Sequence, residues 1–157
     1  MRIGNGYDVH PFAEGRALIL GGVLFQGETG LAGHSDGDVL THAVIDAILG
    51  AAALGDIGMH FPSSDARNKD ADSIDLLKQV TKLIAAAGCR IVNVDATVVA
   101  EKPRIAPRVP EMRQRLALAL GVDLGAVSVK ATTTDGLGAI GRAEGIAVQA
   151  IALIDEA

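Results

Sequence analysis

The sequence predicts an α/β fold of the α+β type: a two-layer sandwich with one mixed β-sheet covered by helices. Three observations carry that expectation. Apolar patterns of period two and period 3.6 interleave along the chain, and three helical segments are enough to cover one sheet. The closing strand is apolar on both faces, as expected of a central strand or of one buried at a subunit contact. With 157 residues, the chain suits a single domain, residues 1–157, with a core of ordinary size. No repeat, low-complexity tract or linker divides it.

Residues 2–10 read as a strand, with Ile3, Asn5, Tyr7 and Val9 on one face and Asp8 and His10 on the other. Gly21-Gly22, set between apolar runs in 18–25, marks a hairpin or a bulge. Ser35-Asp36-Gly37-Asp38 opens a helix, with Ser35 as its cap and Asp38 three residues on approximating a capping box. Val39, Leu40, Ala43, Val44, Ala47, Ile48 and Ala51 supply that helix's apolar face. Residues 56–72 are polar and turn-rich and read as a mobile surface loop. A second helix follows, with Leu76, Leu77, Val80, Leu83, Ile84 and Ala87 at helical spacing and Gly88 as its stop. Residues 90–100 alternate as a strand, with Val92, Val94, Ala96, Val98 and Ala100 on one face. A third helix spans about 110–120, from a first-turn proline to Gly121. Strands at 127–133 and about 144–154 complete the chain. One face of the sheet is left without helices, which points to self-association.

Aromatic residues make up only 3% of the chain, so the core must be built from Ile, Leu, Val and Ala, with 19 glycines permitting tight turns and close backbone approach. A net charge of −5 argues against a general polyanion binder and leaves nucleic acid out as a partner. Phosphates on a ligand would have to be met locally, by a few cations or metals. Cys89 is the only cysteine, which rules out an internal disulfide and suits a reducing compartment. The first residues lack the apolar stretch of a signal peptide, and the longest apolar run, 43–54, is short and broken by Asp46. The expectation is a cytoplasmic protein with no membrane partner.

Asp8-Val9-His10 puts a carboxylate and an imidazole on one strand face, either as a metal-binding pair or as a satisfied surface or core pair. His42 lies mid-helix with Asp38 and Asp46 four residues to either side. That polar stripe is either a solvated face or a third metal ligand with a neighbouring carboxylate as outer partner. Asp, His and His would leave a tetrahedral zinc one open position, which is the catalytic arrangement. Cys89 as a fourth ligand is conceivable, but its place after Gly88 fits a buried apolar residue better. His34-Ser35 sits at a helix start that favours an anion.

Thr132-Thr133-Thr134-Asp135-Gly136 offers hydroxyls for phosphate oxygens and an acid for a hard cation, although by itself it reads more simply as a strand ending in an Asp-Gly turn. Glu101-Lys102-Pro103-Arg104-Ile105-Ala106-Pro107 is either a nucleotide cradle or a plain surface loop, and Arg142 either a phosphate-binding cation or a surface charge. His60 flanks the 56–72 loop without a clear partner. No GxGxxG, Walker loop, nucleophile elbow or CxxC pair is present.

Gly6-Tyr7-Asp8-Val9-His10, His34-Ser35-Asp36-Gly37-Asp38, His42, Gly55-Asp56-Ile57-Gly58, Phe61-Pro62 and Lys130-Ala131-Thr132-Thr133-Thr134, in this order and spacing, resemble one family. It is the 2-C-methyl-D-erythritol 2,4-cyclodiphosphate synthase family of the non-mevalonate isoprenoid pathway, and the resemblance runs from Arg2 to about Leu153. It implies a metal-dependent, cyclising lyase that forms a homotrimer, with the sheets facing each other and the active sites between subunits. The implied substrate is 4-diphosphocytidyl-2-C-methyl-D-erythritol 2-phosphate, and the products are the cyclic diphosphate and CMP.

Further implications are residue by residue. Zinc would be held by Asp8, His10 and His42, with Asp8 and His10 also at the substrate. His34, Ser35, Asp56 and Gly58 would hold the erythritol phosphate part, and Phe61 and Asp65 would also bind substrate. The stretch from Ala100 through Pro103 and Arg104 to Ala106, with Thr132 and Thr133, would receive the cytidine diphosphate, and Thr134, Asp135 and Arg142 would also bind substrate. His34 and Thr133 would stabilise the transition state, and Asp135 would bind a magnesium or manganese ion bridging the diphosphate.

Three departures from the family pattern stand out. Asp135 stands where glutamate is usual, Ala139-Ile140 where Phe-Thr is commoner, and position 63 lacks an acid. Rival readings are a metal-dependent phosphohydrolase and a non-catalytic, metal-stabilised oligomeric binding module.

Overall fold

In the computed structural model, which describes residues 1–157, strand β1 (Arg2–Leu20) serves two partners in turn. Its first half pairs antiparallel with β5 (Gly145–Glu156), from Arg2↔Ile154 to Pro11↔Gly145. Its second half folds back on β2 (Val23–Leu31) as a hairpin. Leu20 faces Val23 across Gly21 and Gly22, whose φ values of 56° and 72° are those of the two-residue turn that matches strand twist. Strand β5 also pairs antiparallel with β3 (Cys89–Val99), and β3 pairs parallel with β4 (Val127–Thr132). The sheet order is β2-β1-β5-β3-β4, a mixed five-stranded sheet. Its single parallel pair is joined by a helical crossover, as parallel neighbours require.

Helices α1 (Val39–Ala51), α3 (Ser73–Ala86) and α4 (Val109–Leu120) cover one face of this sheet. Two short helices, α2 (Ile57–His60) and α5 (Gly138–Gly141), lie in connections. On the covered face Ile146, Val148, Ala150, Ala152 and Ile154 of β5 are buried together with Val94, Ala96 and Val98 of β3. Helix α1 lies directly on β1. A Cβ on Gly6 would stand 2.0 Å from the Ala43 carbonyl oxygen, and one on Gly4 would stand 2.0 Å from that of Ala47. The opposite face carries Ile3, Tyr7 and Val9 in the open, with Ile151 and Leu153 half-buried beside them. The expected α+β sandwich with one uncovered face is therefore present. No helix is long and apolar enough to cross a membrane.

Four local expectations change. The residue capping α1 is Asp38, not Ser35, and no capping box forms: the Asp38 carboxylate accepts from Thr41 N–H at 2.9 Å, and the helix begins at Val39. The 56–72 stretch carries α2 and a 3-10 turn over Ala66–Asn68, capped by Asp56 and Asp65 respectively. In β3 a bulge between Ile91 and Asn93 breaks the alternation, so that Ile91 is buried and Val92 is only half-buried. Finally, β1 continues well past residue 10, because Leu18 and Leu20 bury against the helices.

Candidate metal centre

Strand alternation turns Asp8 and His10 toward the helices, and the bare glycine path at Gly4 and Gly6 lets α1 come close enough for His42 to meet them. His10 Nε2 lies 2.8 Å from Asp8 Oδ2. His42 Nδ1 lies 3.2 Å from the same oxygen and 3.4 Å from His10 Nε2. These three donors form a group within 4.8 Å, half-buried at Asp8 and His10 and buried at His42. Adjacent ligands on a tetrahedral zinc with bonds of about 2.0–2.1 Å stand about 3.3 Å apart, close to the observed spacing.

The other ring nitrogens are held by the protein. His10 Nδ1 donates to the Ala32 carbonyl, which leaves Nε2 as the ligand atom. His42 Nε2 is 3.0 Å from Ser35 Oγ and 2.9 Å from Ser73 Oγ, which leaves Nδ1 facing the group. The donor set and its supports fit one divalent cation.

Electrostatics agree with the geometry. Burial works to raise the Asp8 carboxyl, but hydrogen bonds from His10 and His42 and their charge outweigh it and hold the group well below the usual carboxylate range. Burial works to lower the His10 pKa, yet the bond to Asp8, the Ala32 carbonyl and the charge of Asp8 raise it above 6.5. The anion and the imidazoles thus hold one another in place.

The cleft around this group has a volume of about 270 Å³. Asp8, His10 and His42 share its lining with His34, Ser35, Gly58 and Phe61, all expected site residues. Asp46, Ile57, Ser63, Asn68 and Leu76 also line it and carried no site signal apart from Asp46, four residues after His42. His34 is exposed, and Asp46 receives Ile57 N–H at 2.8 Å, which ties α2 to α1.

Asp56 caps α2 by accepting from Met59 N–H, and Asp65 pairs with Arg67 at 2.6 Å; neither side chain lines the cleft. His60 finds a partner in the Leu54 carbonyl at 2.8 Å.

One expectation about His42 is overturned, and one of its two alternative readings is set aside. Its outer partners are the hydroxyls of Ser35 and Ser73, not the carboxylates four residues away. Nor is the Asp38/His42 stripe a solvated face, since Asp38 is 0% and His42 8% exposed. Asp38 instead accepts from Gly21 N–H, Gly22 N–H, Thr41 N–H and the Thr41 hydroxyl. Burial pushes its carboxyl pKa up, the charge of Asp36 adds to that, and these donors oppose both.

The residues expected around the cytidine diphosphate lie elsewhere in the chain. Ala100 is buried, with its N–H on the Thr132 carbonyl, whereas Arg104, Ala106, Thr132 and Thr133 are exposed and Pro103 and Thr134 half-buried. Glu101 holds this turn by accepting from Thr134 N–H at 3.0 Å and from Gly136 N–H at 3.3 Å. Asp135 has φ 53° and meets the Thr133 hydroxyl at 3.4 Å, and it belongs to no three-donor metal group. Arg142 is exposed and paired with Glu144 at 2.6 Å. Cys89 is half-buried at the edge of the core and far from serving as a fourth ligand.

Fold and donor set define an α+β protein with a site built for one divalent cation beside an open cleft. Residues 1–155 match the YgbB family, and the chain belongs to it. Among its relatives is a 2-C-methyl-D-erythritol 2,4-cyclodiphosphate synthase of Syntrophomonas wolfei subsp. wolfei, 57% identical over 157 residues and covering 100% of both chains. Another, from Salinibacter ruber, is 59% identical over the same 157 residues. Among solved structures, the bifunctional IspDF from Campylobacter jejuni aligns with a TM-score of 0.96 at 44% identity, over 99% of this chain and 42% of that one. This chain therefore spans less than half of that protein. The Plasmodium falciparum IspF CDP complex aligns with a TM-score of 0.86 at 34% identity, over 99% of this chain and 96% of that one.

Proposed function

We infer that the protein converts 4-diphosphocytidyl-2-C-methyl-D-erythritol 2-phosphate into 2-C-methyl-D-erythritol 2,4-cyclodiphosphate and CMP, as a cyclising lyase of isoprenoid precursor biosynthesis. The observation that carries this reading is the meeting of Asp8, His10 and His42 in a chain that matches the family from end to end. In the reaction an oxygen of the 2-phosphate attacks the β-phosphorus, and the bond from that phosphorus to the CMP oxygen breaks. CMP departs with the electron pair. The leaving group is already good, so the chain needs to supply alignment more than acid–base chemistry.

Asp8, His10 and His42 would hold a zinc ion and Asp135 a magnesium or manganese ion; bound there, the two would supply positive charge to offset phosphate repulsion and polarise the phosphorus under attack. His34, Ser35 and Gly58 border the same cleft as the three donors, which suits holding the erythritol phosphate against that charge. Phe61 lines the cleft with Ile57 and Leu76; Asp56 and Asp65 cap α2 and the 3-10 turn next to it in the chain.

His10 pairs across to Ile146 on β5, and Val99 to Ala147, so Ala100 to Ala106 and Thr132 to Asp135 leave the sheet at the same end as His10. Three strand spacings of about 4.8 Å still separate β1 from β4, roughly 14 Å in all. We propose that the two halves of the site meet between copies of the chain, in a homotrimer whose sheets face one another through Ile3, Tyr7 and Val9. The cytidine diphosphate of one site would then be received by the Thr132–Thr133–Thr134 turn, Pro103, Arg104 and Arg142 of a neighbouring copy, with Thr133 and His34 stabilising the transition state. A cytoplasmic setting suits the unpaired Cys89.

Phosphorus NMR during turnover tests the reading. CMP and a cyclic diphosphate should appear in equal amounts. Two free phosphomonoesters would instead identify a phosphohydrolase, and no turnover a binding module.

A further inference from the structure

Asp36 belongs to the His34–Asp38 segment yet does not line the cleft, and Ser73 gave no signal in the sequence. The structure joins them beneath His42. Ser73 is fully buried at the first turn of α3, and its N–H donates to Asp36 Oδ2 at 2.9 Å. The Asp38 N–H donates to Asp36 Oδ1 at 3.1 Å. Backbone N–H groups can only donate, so both carboxylate oxygens already act as acceptors. The Ser73 hydroxyl, which also meets Oδ1, must therefore give it its one proton. What remains on Ser73 Oγ is lone pairs, and 2.9 Å away stands His42 Nε2. A hydroxyl that has spent its proton on Asp36 can only accept from that nitrogen.

We propose that Asp36 and Ser73 are positioning residues that fix the tautomer of His42. The chain of bonds runs from His42 Nε2–H to Ser73 Oγ–H to the Asp36 carboxylate. It keeps the ring proton on Nε2 and leaves the Nδ1 lone pair aimed at Asp8 Oδ2 and His10 Nε2. Ser35 Oγ, 3.0 Å from Nε2, is a secondary acceptor for the same proton. Neither Asp36 nor Ser73 needs to touch substrate. The consequence for metal affinity rests on the metal reading above, but the tautomer assignment does not.

Long-range proton–nitrogen NMR of the metal-free wild-type protein, at a pH where the ring is neutral, reads the tautomer directly. It should show His42 protonated at Nε2; a proton on Nδ1 overturns the inference. Zinc affinity from competition with a chromogenic chelator gives a second readout. Asp36→Asn is nearly isosteric and keeps the ring's heavy-atom neighbours, but its amide nitrogen, set at Oδ1 in place of the acceptor for Asp38 N–H, donates to Ser73 and turns that hydroxyl proton toward His42. The ring proton is then driven to the metal side, and zinc affinity should fall about 10–100-fold. Ser73→Ala leaves Ser35 as acceptor and should cost less.

A merely structural role predicts the reverse order, because Ser73 is the buried residue in contact with the ring. Equal or reversed losses overturn the proposal. Melting temperatures taken with chelator present separate loss of fold from loss of metal. Should the wild type bind no zinc, the metal reading fails, and the ring proton alone decides this inference.

Discussion

His10 has both ring nitrogens engaged, one on the Ala32 carbonyl and one against Asp8. A proton and a metal therefore compete for the same lone pair. In the metal-free protein the raised His10 pKa means that its pairing stabilises fully below 6.5 and is lost as pH rises through the folded value. The depressed Asp8 pKa has the opposite sense: its stabilisation is present above 3.8 and is lost as pH falls through the folded value. Melting with a chelator present should therefore be highest in weakly acidic solution. With zinc, which needs a neutral imidazole, the optimum should move to higher pH. Coincident melting profiles with and without zinc would count against the centre. His42→Ala should abolish one-to-one zinc binding in elemental analysis and reduce CMP release by at least about a hundredfold, the upper range for losing even an outer partner.

At the scale of elements, two joints place the site. Asp38 clasps the Gly21–Gly22 turn of the β1–β2 hairpin to the start of α1, with four donors on one buried carboxylate. Asp38→Ala removes the cap and orphans those donors, and should cost about 3 kcal/mol or more in denaturant unfolding, with an unchanged m value. The second joint is the contact of β1 with α1. Gly6→Ala would drive a methyl into the Ala43 carbonyl, and lifting the helix should cost about 3 kcal/mol and weaken zinc binding together. Gly125→Ala, where nothing lies within 4 Å, is the control and should stay within about 0.5 kcal/mol of wild type. If Gly6→Ala keeps full zinc affinity, the close approach does not position His42.

For the whole molecule, the uncovered sheet face sets the expectation. Tyr7 is 61% and Ile3 70% exposed on a surface with no helix over it. If the proposed homotrimer forms through this face, Tyr7→Lys should shift the sedimentation coefficient from that of a trimer to that of a monomer and suppress turnover, because Thr133 would no longer reach a neighbour's cleft. Zinc binding by Asp8, His10 and His42 should survive in the monomer.

The alternation in 2–10, the double glycine at 21–22 and the stop at Gly121 were legible in the sequence, since each depends on neighbours a few residues away. So was the donor set, since Asp and two His in an ordered family pattern carry their chemistry in their side chains. The role of Asp38 was not legible, because its partners Gly21 and Gly22 are 17 and 16 positions distant and only folding brings them to it. The hydroxyls behind His42 escaped for the same reason, Ser73 being 31 positions away on another helix. Residue types and local periods thus determined which atoms were available to a metal and which segments would carry them. Which nitrogen faces inward, what holds it there and which walls enclose the cleft were decided only by the packing of α1 and α3 on the sheet, because those are distances through space that no local pattern encodes.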